Sequence, residues 1–180
     1  SLERQYLEQD DCVPYLDLMQ NLTNRINGLA RVHDMLSASE WRPLQLDELI
    51  QQIIHSSLQI VPPDTHVSVD IQPSPYRINA DQAHHLALIL NELTTNTAKY
   101  AIQQREFARI SVDIMRTDGM LEIRFQDDGL GYPGDVLRLQ RYNVGLDLIQ
   151  QLMQRNLHGE WKLQNDDGAV TILRFPIEEL

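Results

Sequence analysis

Residues 91–100 read NELTTNTAKY and residues 127–131 read DDGLG. The first stretch belongs to a longer pattern. From about Asp81 to Gln103 the apolar residues Leu86, Ile89, Leu90 and Leu93 recur at helical spacing, which predicts a long helix with one face in a core. Glu92, Asn96, Lys99 and Tyr100 fall at i, i+4, i+7 and i+8 beside that stripe. An acid, a carboxamide and an ammonium within about two turns is the mixture that hydrated Mg²⁺ and the phosphates it bridges require. The same cluster on an ordinary solvated helix face would carry no chemistry.

The second stretch ends a strand. Leu121, Ile123 and Phe125 alternate with Glu122, Arg124 and Gln126, as in a half-buried strand, and Asp127-Asp128-Gly129-Leu130-Gly131 follows. Glycines let the backbone turn and approach a ligand closely; Asp and Gly also make plain turns. A third element, Asn143-Val144-Gly145-Leu146, opens an apolar-periodic helix through Leu148, Ile149 and Leu152. A glycine beside a helix N-terminus leaves N–H groups for an anion such as phosphate.

NELTTNTAKYA, DDGLGYP, NVGLDLIQQLM and the closing DDGAVTILRFP resemble, in order and spacing, the nucleotide boxes of the ATPase family of gyrase, Hsp90 chaperones, histidine kinases and MutL. The resemblance runs from about Leu44 to Pro176, and four ordered boxes are far more specific than one. With RINGLARVHDML and LQLDELIQQII before them, the boxes look most like those of sensor histidine kinases with a short ATP lid. The resemblance implies an α+β, two-layer sandwich of the Bergerat type: a mixed sheet with helices on one face, preceded by a helical dimerisation segment. The expected division is 1–43 for the helical segment and 44–180 for the ATP-binding domain.

Residue roles follow from the same resemblance. Asp127 matches the aspartate that accepts a hydrogen bond from the adenine amino group. Asn96 matches the Mg²⁺-binding asparagine, and Lys99 the lysine beside the phosphates. Glu92 matches a glutamate that orients or deprotonates water in ATP-hydrolysing members; in a kinase it polarises the nucleophile or helps hold the metal. Tyr100 flanks the nucleotide or simply packs. Gly129 and Gly131 resemble the lid hinge, and Gly145 and Leu146 the start of the helix that meets the phosphates. Tyr132 to Tyr142 leaves eleven residues for the lid, which favours a kinase over a gyrase or chaperone. Arg138 and Arg141 lie on this loop, as phosphate ligands or as solvated charges. The chain departs from the pattern at Gly168-Ala169, where the family usually has Gly-Thr, so one hydroxyl near the adenine pocket is missing.

The phosphoacceptor is a second departure, because residues 1–20 contain no histidine. His33, followed by Asp34, is the nearby candidate. It also sits beside a packing stripe of Leu22, Ile26, Leu29, Val32 and Leu36, where a structural histidine is the competing reading. The remaining histidines, including His84-His85, lack the spacing of zinc ligands.

Composition bounds the rest. A chain of 180 residues holds one domain with a core plus a helical appendage. Its 26 acidic against 15 Lys and Arg residues, net −11, argue against nucleic acid and anionic membranes as partners. The single Cys12 rules out an intramolecular disulfide and suits a reducing compartment, and no apolar run has the length of a membrane span, so a cytoplasmic location is expected. The abrupt start suggests a fragment of a longer protein. Trp41-Arg42-Pro43 should end the first helical segment, whose stripe lacks a partner within that segment and suggests a homodimer. Further expected elements are a helix at 47–60, a break at Pro62-Pro63, strands at 66–71, 107–115, 120–126, 160–164 and 170–175, and a helix at 144–155.

These readings predict the catalytic, ATP·Mg²⁺-binding region of a sensor histidine kinase that passes its phosphoryl group to a response regulator receiver domain. Two alternatives stand beside it: a serine kinase of the anti-sigma type, and a non-catalytic dimerisation module whose ATP site has decayed.

Overall fold

A computed structural model describes residues 12–103, 105–138 and 144–177. Strand β5 (Met120–Asp127) buries every second side chain, as its alternation predicts, and lies at the centre of a five-stranded sheet. Its neighbours are β4 (Phe107–Thr117) on one side and β7 (Ala169–Pro176) on the other, both antiparallel. Beyond them lie β2 (His66–Ile71), parallel to β4, and β6 (Glu160–Asn165), antiparallel to β7. The hairpin between β4 and β5 turns through Asp118 and Gly119, both at positive φ, the backbone that a tight two-residue turn demands.

The parallel pairing of β2 with β4 needs a long crossover, and helix α3 (Ala80–Thr97) supplies it. Asn79 caps this helix, its Oδ1 accepting the Gln82 N–H at 2.9 Å. Helix α2 (Leu46–Ser57) packs beside α3 through Leu46, Leu49, Ile50, Ile53 and Ile54, a stripe at i, i+3, i+4, i+7 and i+8. A two-stranded ribbon, β1 (Leu44–Gln45) with β3 (Arg77–Ile78), ties the entries of the two helices together. Helix α5 (Val144–Gln151) completes the helical layer, with Leu146 and Ile149 buried. These helices share one core with the inner side chains Ile110, Val112, Ile123, Leu173 and Phe175 of the sheet. The other face of the sheet is a lattice of cross-strand ion pairs, Arg109–Asp70, Arg124–Asp113 and Arg174–Glu160, which suits water. The expected two-layer mixed sheet with helices on one face is therefore the fold observed.

Three departures from the sequence reading matter. First, the α-helix over 81–103 stops at Thr97 and continues as a π turn, Ala98–Ile102, so Lys99 and Tyr100 lie past the end of the regular i, i+4, i+7 register. The helix over 144–155 ends the same way, in a π turn at Leu152–Asn156. Second, α1 (Cys12–Ala38) is not an appendage along its whole length. Val32 and Leu36 are fully buried against the core that also holds Leu44, Leu46 and Leu49, while Leu22 and Ile26 of the same stripe stay exposed. The stripe thus finds a partner for its C-terminal half within the chain itself. Third, a short helix α4 (Gly134–Leu137) forms where an irregular loop was expected. No helix among the described residues is long and apolar enough to cross a membrane.

Candidate functional site

A cleft of about 530 Å³ opens between the end of α3 with its π turn, the loop after β5, and the first turn of α5. Leu93, Asn96, Thr97, Tyr100 and Ala101 form one wall; Leu130, Gly131, Tyr132, Pro133, Asp135 and Val136 form the other. Asp127, Leu146 and Ala169 also line it. The walls are mostly apolar with few polar groups, as a site for a flat heterocycle requires.

The polar groups converge on Asp127, which is only 6% exposed. Its Oδ1 accepts the Gly129 N–H at 2.9 Å and the Ala169 N–H at 3.2 Å, and its Oδ2 accepts the Thr97 hydroxyl at 2.9 Å. A carboxylate offers roughly four acceptor positions, so one on Oδ2 is left for a donor entering the cleft. Ala169 thus contributes its backbone N–H to Asp127, while the one side-chain hydroxyl on that carboxylate comes from Thr97.

Close packing holds this arrangement. A Cβ on Gly168, at φ +136°, would lie 1.8 Å from the Asp127 carbonyl oxygen, and one on Gly129 would lie 2.5 Å from the Ala101 Cβ. The β6–β7 turn and the π turn are therefore both pressed against the Asp127-Asp128-Gly129 backbone. The neighbouring Asp128 points elsewhere: it forms a two-pronged ion pair with Arg105, at 2.8 and 2.9 Å, and accepts the Arg109 N–H at 3.0 Å. Burial pushes the Asp128 carboxyl up, but the Arg105 and Arg109 hydrogen bonds with the Arg105 charge outweigh it and hold the group below the usual carboxylate range. Arg105 also donates to the Ala101 carbonyl at 3.1 Å, which fastens the π turn to the acidic turn.

Tyr132 forms the far wall. Its phenol shares a 2.6 Å hydrogen bond with the buried Thr171 hydroxyl on β7. Burial, which the Thr171 contact opposes and the Asp127 charge reinforces, pushes the phenol up to about 12.

Of the residues singled out from sequence, Asn96, Tyr100, Asp127, Gly131 and Leu146 line this cleft. Gly129 and Gly145 shape its backbone, Gly129 through its N–H to Asp127 and Gly145 buried at the start of α5. Lys99 is half-buried on the π turn and outside the lining. Glu92 also stays outside: it is buried between helices, with Oε1 2.6 Å from Arg25 Nε of α1. The polar face expected to carry Glu92, Asn96, Lys99 and Tyr100 together is thus divided between the helix interface and the cleft. Arg138 is exposed at the end of α4, whereas Arg141 and Asn143 lie outside the described residues. His33 and Asp34 are exposed on α1, with the His33 ring edge-on to Trp41 at 5.6 Å.

Sequence reasoning missed Thr97, Thr171, Asn165 and Arg25. Thr97 directly follows Asn96, but nothing in the string says that its hydroxyl meets Asp127, thirty residues on. The others depend on register between distant strands and helices.

Comparison with known proteins gives the same picture. Residues 81–179 match the family described as histidine kinase-, DNA gyrase B-, and HSP90-like ATPase, and residues 2–68 match HWE histidine kinase. The sensor histidine kinase PdtaS of Mycolicibacterium smegmatis is 25% identical over 156 residues, which cover 85% of this chain and 31% of that protein. A blue-light-activated histidine kinase of Rhizobium johnstonii is 27% identical over 170 residues, covering 93% of this chain and 46% of that one. The chain thus spans between about a third and a half of the length of these two relatives. Among solved structures, the histidine kinase domain of the Erythrobacter litoralis EL346 blue-light activated kinase superposes with a TM-score of 0.70 at 19% identity, over 87% of this chain and 74% of that one.

Proposed function

Because the chain belongs to the histidine kinase-, DNA gyrase B- and HSP90-like ATPase family, we propose that it is the catalytic, ATP-binding region of a two-component sensor histidine kinase. Its cleft takes the adenine ring between Tyr100 and Leu93 on one side and Tyr132 on the other. The single observation that carries this reading is Asp127. A buried carboxylate with three donors already in place and one acceptor position facing an apolar cleft selects a ligand that brings an N–H, as the exocyclic amine of adenine does. The Thr97, Gly129 and Ala169 donors keep that acceptor oriented before the ligand arrives, so little is spent on reorganisation.

The donor set suits Mg²⁺. That ion keeps several waters and takes one or two protein oxygens besides phosphates, and the half-buried Asn96 carboxamide on the cleft wall meets such a demand. Asn96 would hold the ion, which supplies charge neutralisation between the phosphates. The N–H groups of the first turn of α5, with Gly145 and Leu146, would supply donors to the polyphosphate, and Lys99, on the π turn outside the cleft lining, would add a positive charge. The remaining chemistry is positioning of a γ-phosphoryl group for in-line attack by a histidine, with later transfer to an aspartate of a response regulator receiver domain. The acceptor is His33 or a histidine elsewhere, and the working unit is a homodimer in the cytoplasm.

Asp127→Asn tests the reading. The amide converts one acceptor oxygen into a donor, so titration with ATP should show at least about tenfold weaker binding. Unchanged affinity would refute the site. Labelling with γ-³²P ATP separates the functions: acid-labile label identifies a histidine kinase, and acid-stable label a serine kinase.

A further inference from the structure

The cleft wall at Tyr132 is held by a residue that belongs to none of the motifs. Asn165, the last residue of β6, accepts the Tyr132 N–H on Oδ1 at 2.7 Å and donates from Nδ2 to the Tyr132 carbonyl at 3.0 Å. One side-chain amide thus satisfies both polar groups of one backbone residue, as a neighbouring strand would. The fit leaves no slack: a Cβ on Gly131, which sits at φ +83°, would lie 2.6 Å from the Asn165 Cγ.

Asn165 is itself anchored. The next residue, Asp166, accepts from Arg124 Nη2 at 2.8 Å through its carboxylate and from Gln126 Nε2 at 2.5 Å through its carbonyl, so the β6–β7 turn is tied to β5. At its other end, Tyr132 is pinned through its phenol to Thr171 on β7. Gly129 is likewise held, by Asp127 and by its contact with Ala101. The two glycines expected to be the lid hinge are therefore both closely packed against neighbouring side chains.

We propose that Asn165 is a positioning residue for the nucleotide: it clamps the Tyr132 backbone so that the aromatic wall stays in place in the empty site. Asn165 does not line the cleft and acts only through Tyr132. The inference rests on the reading of the cleft as an ATP site, but the clamp is testable without nucleotide.

In the nucleotide-free protein, hydrogen exchange of the Tyr132 amide should be protected in the wild type and fast in Asn165→Ala. In the same variant, affinity for ATP should weaken about three- to tenfold, appearing in KM with kcat at saturating ATP nearly unchanged. Asn165→Asp keeps the acceptor for the Tyr132 N–H and loses the donor, so it should fall between wild type and Asn165→Ala in both measurements. It also guards against misfolding of the alanine variant. Equal protection of the Tyr132 amide in wild type and Asn165→Ala would overturn the clamp. Lost protection with ATP affinity within twofold of wild type would overturn its role in binding. A wild-type protein that binds no ATP would overturn the reading of the cleft and the binding role together, while the exchange result would still decide the clamp.

Discussion

Replacing Arg25 by glutamine should loosen α1 from the rest of the fold. The guanidinium Nε and the Glu92 carboxylate are 2.6 Å apart, with side chains 22% and 9% exposed. Removing one partner of a buried ion pair leaves an unpaired charge and costs about 3–5 kcal/mol. Here the guanidinium reaches water on one side, so part of the vacated space admits solvent, and about 2–3 kcal/mol is the expected loss. For a chain of this size each kcal/mol lowers the melting midpoint by roughly 2–4 °C, which predicts a fall of about 5–10 °C. Thermal and urea unfolding at pH 8 would measure it. Arg25→Gln combined with Glu92→Gln should recover part of the loss, giving a coupling of about 1 kcal/mol or more. A single variant within about 0.5 kcal/mol of wild type at pH 8 would show that the pair behaves as a surface contact, and the reading of it as a buried tie between α1 and α3 would fall.

Other expected outcomes follow from the same geometry. Gly168→Ala places a methyl group 1.8 Å from the Asp127 carbonyl at a φ of +136°, so a loss of at least about 3 kcal/mol with collapse of ATP binding is expected by denaturation and titration. Tyr132, pushed up to about 12 by burial, should ionise above the ordinary range for a phenol in an absorbance titration. Its folded value lies above its unfolded one. Its contribution to stability is therefore complete below about pH 10 and is lost as the pH rises from about 10 to 12. Tyr132→Phe should remove that alkaline decline.

How much could be read in advance depended on whether the information was local. The alternation of Leu121, Ile123 and Phe125 marks β5 because a strand has a period of two, and the Leu86–Leu93 stripe marks α3 because a helix has a period near 3.6. The acidic glycine turn marks the cleft floor because only a short, permissive backbone lets Asp127 sit beneath a close-packed turn. Asn96, Asp127, Gly131 and Leu146 were legible through the resemblance of their boxes to the family, and the structure brings all four to one cleft.

What depended on register between distant segments was not legible. Glu92 and Asn96 are one turn apart in sequence, yet one faces α1 and the other faces the cleft, because a helix wedged between two surfaces serves both. The π turn at Ala98–Ile102 sets Tyr100 on the cleft wall, and no periodicity in the string announces the extra residue. Of the stripe on α1, Val32 and Leu36 meet the core while Leu22 and Ile26 do not. The sequence by itself thus determined the main strands and helices, which follow from short-range periodicity, while the layer order and the chemistry of the nucleotide boxes came from the resemblance of the ordered motifs to the ATPase family. Only the tertiary structure decided that Thr97 and Ala169 orient Asp127, that Asn165 and Thr171 grip Tyr132, and that Arg25 occupies Glu92, because each pairing spans tens of residues and exists only once the sheet and helices have packed.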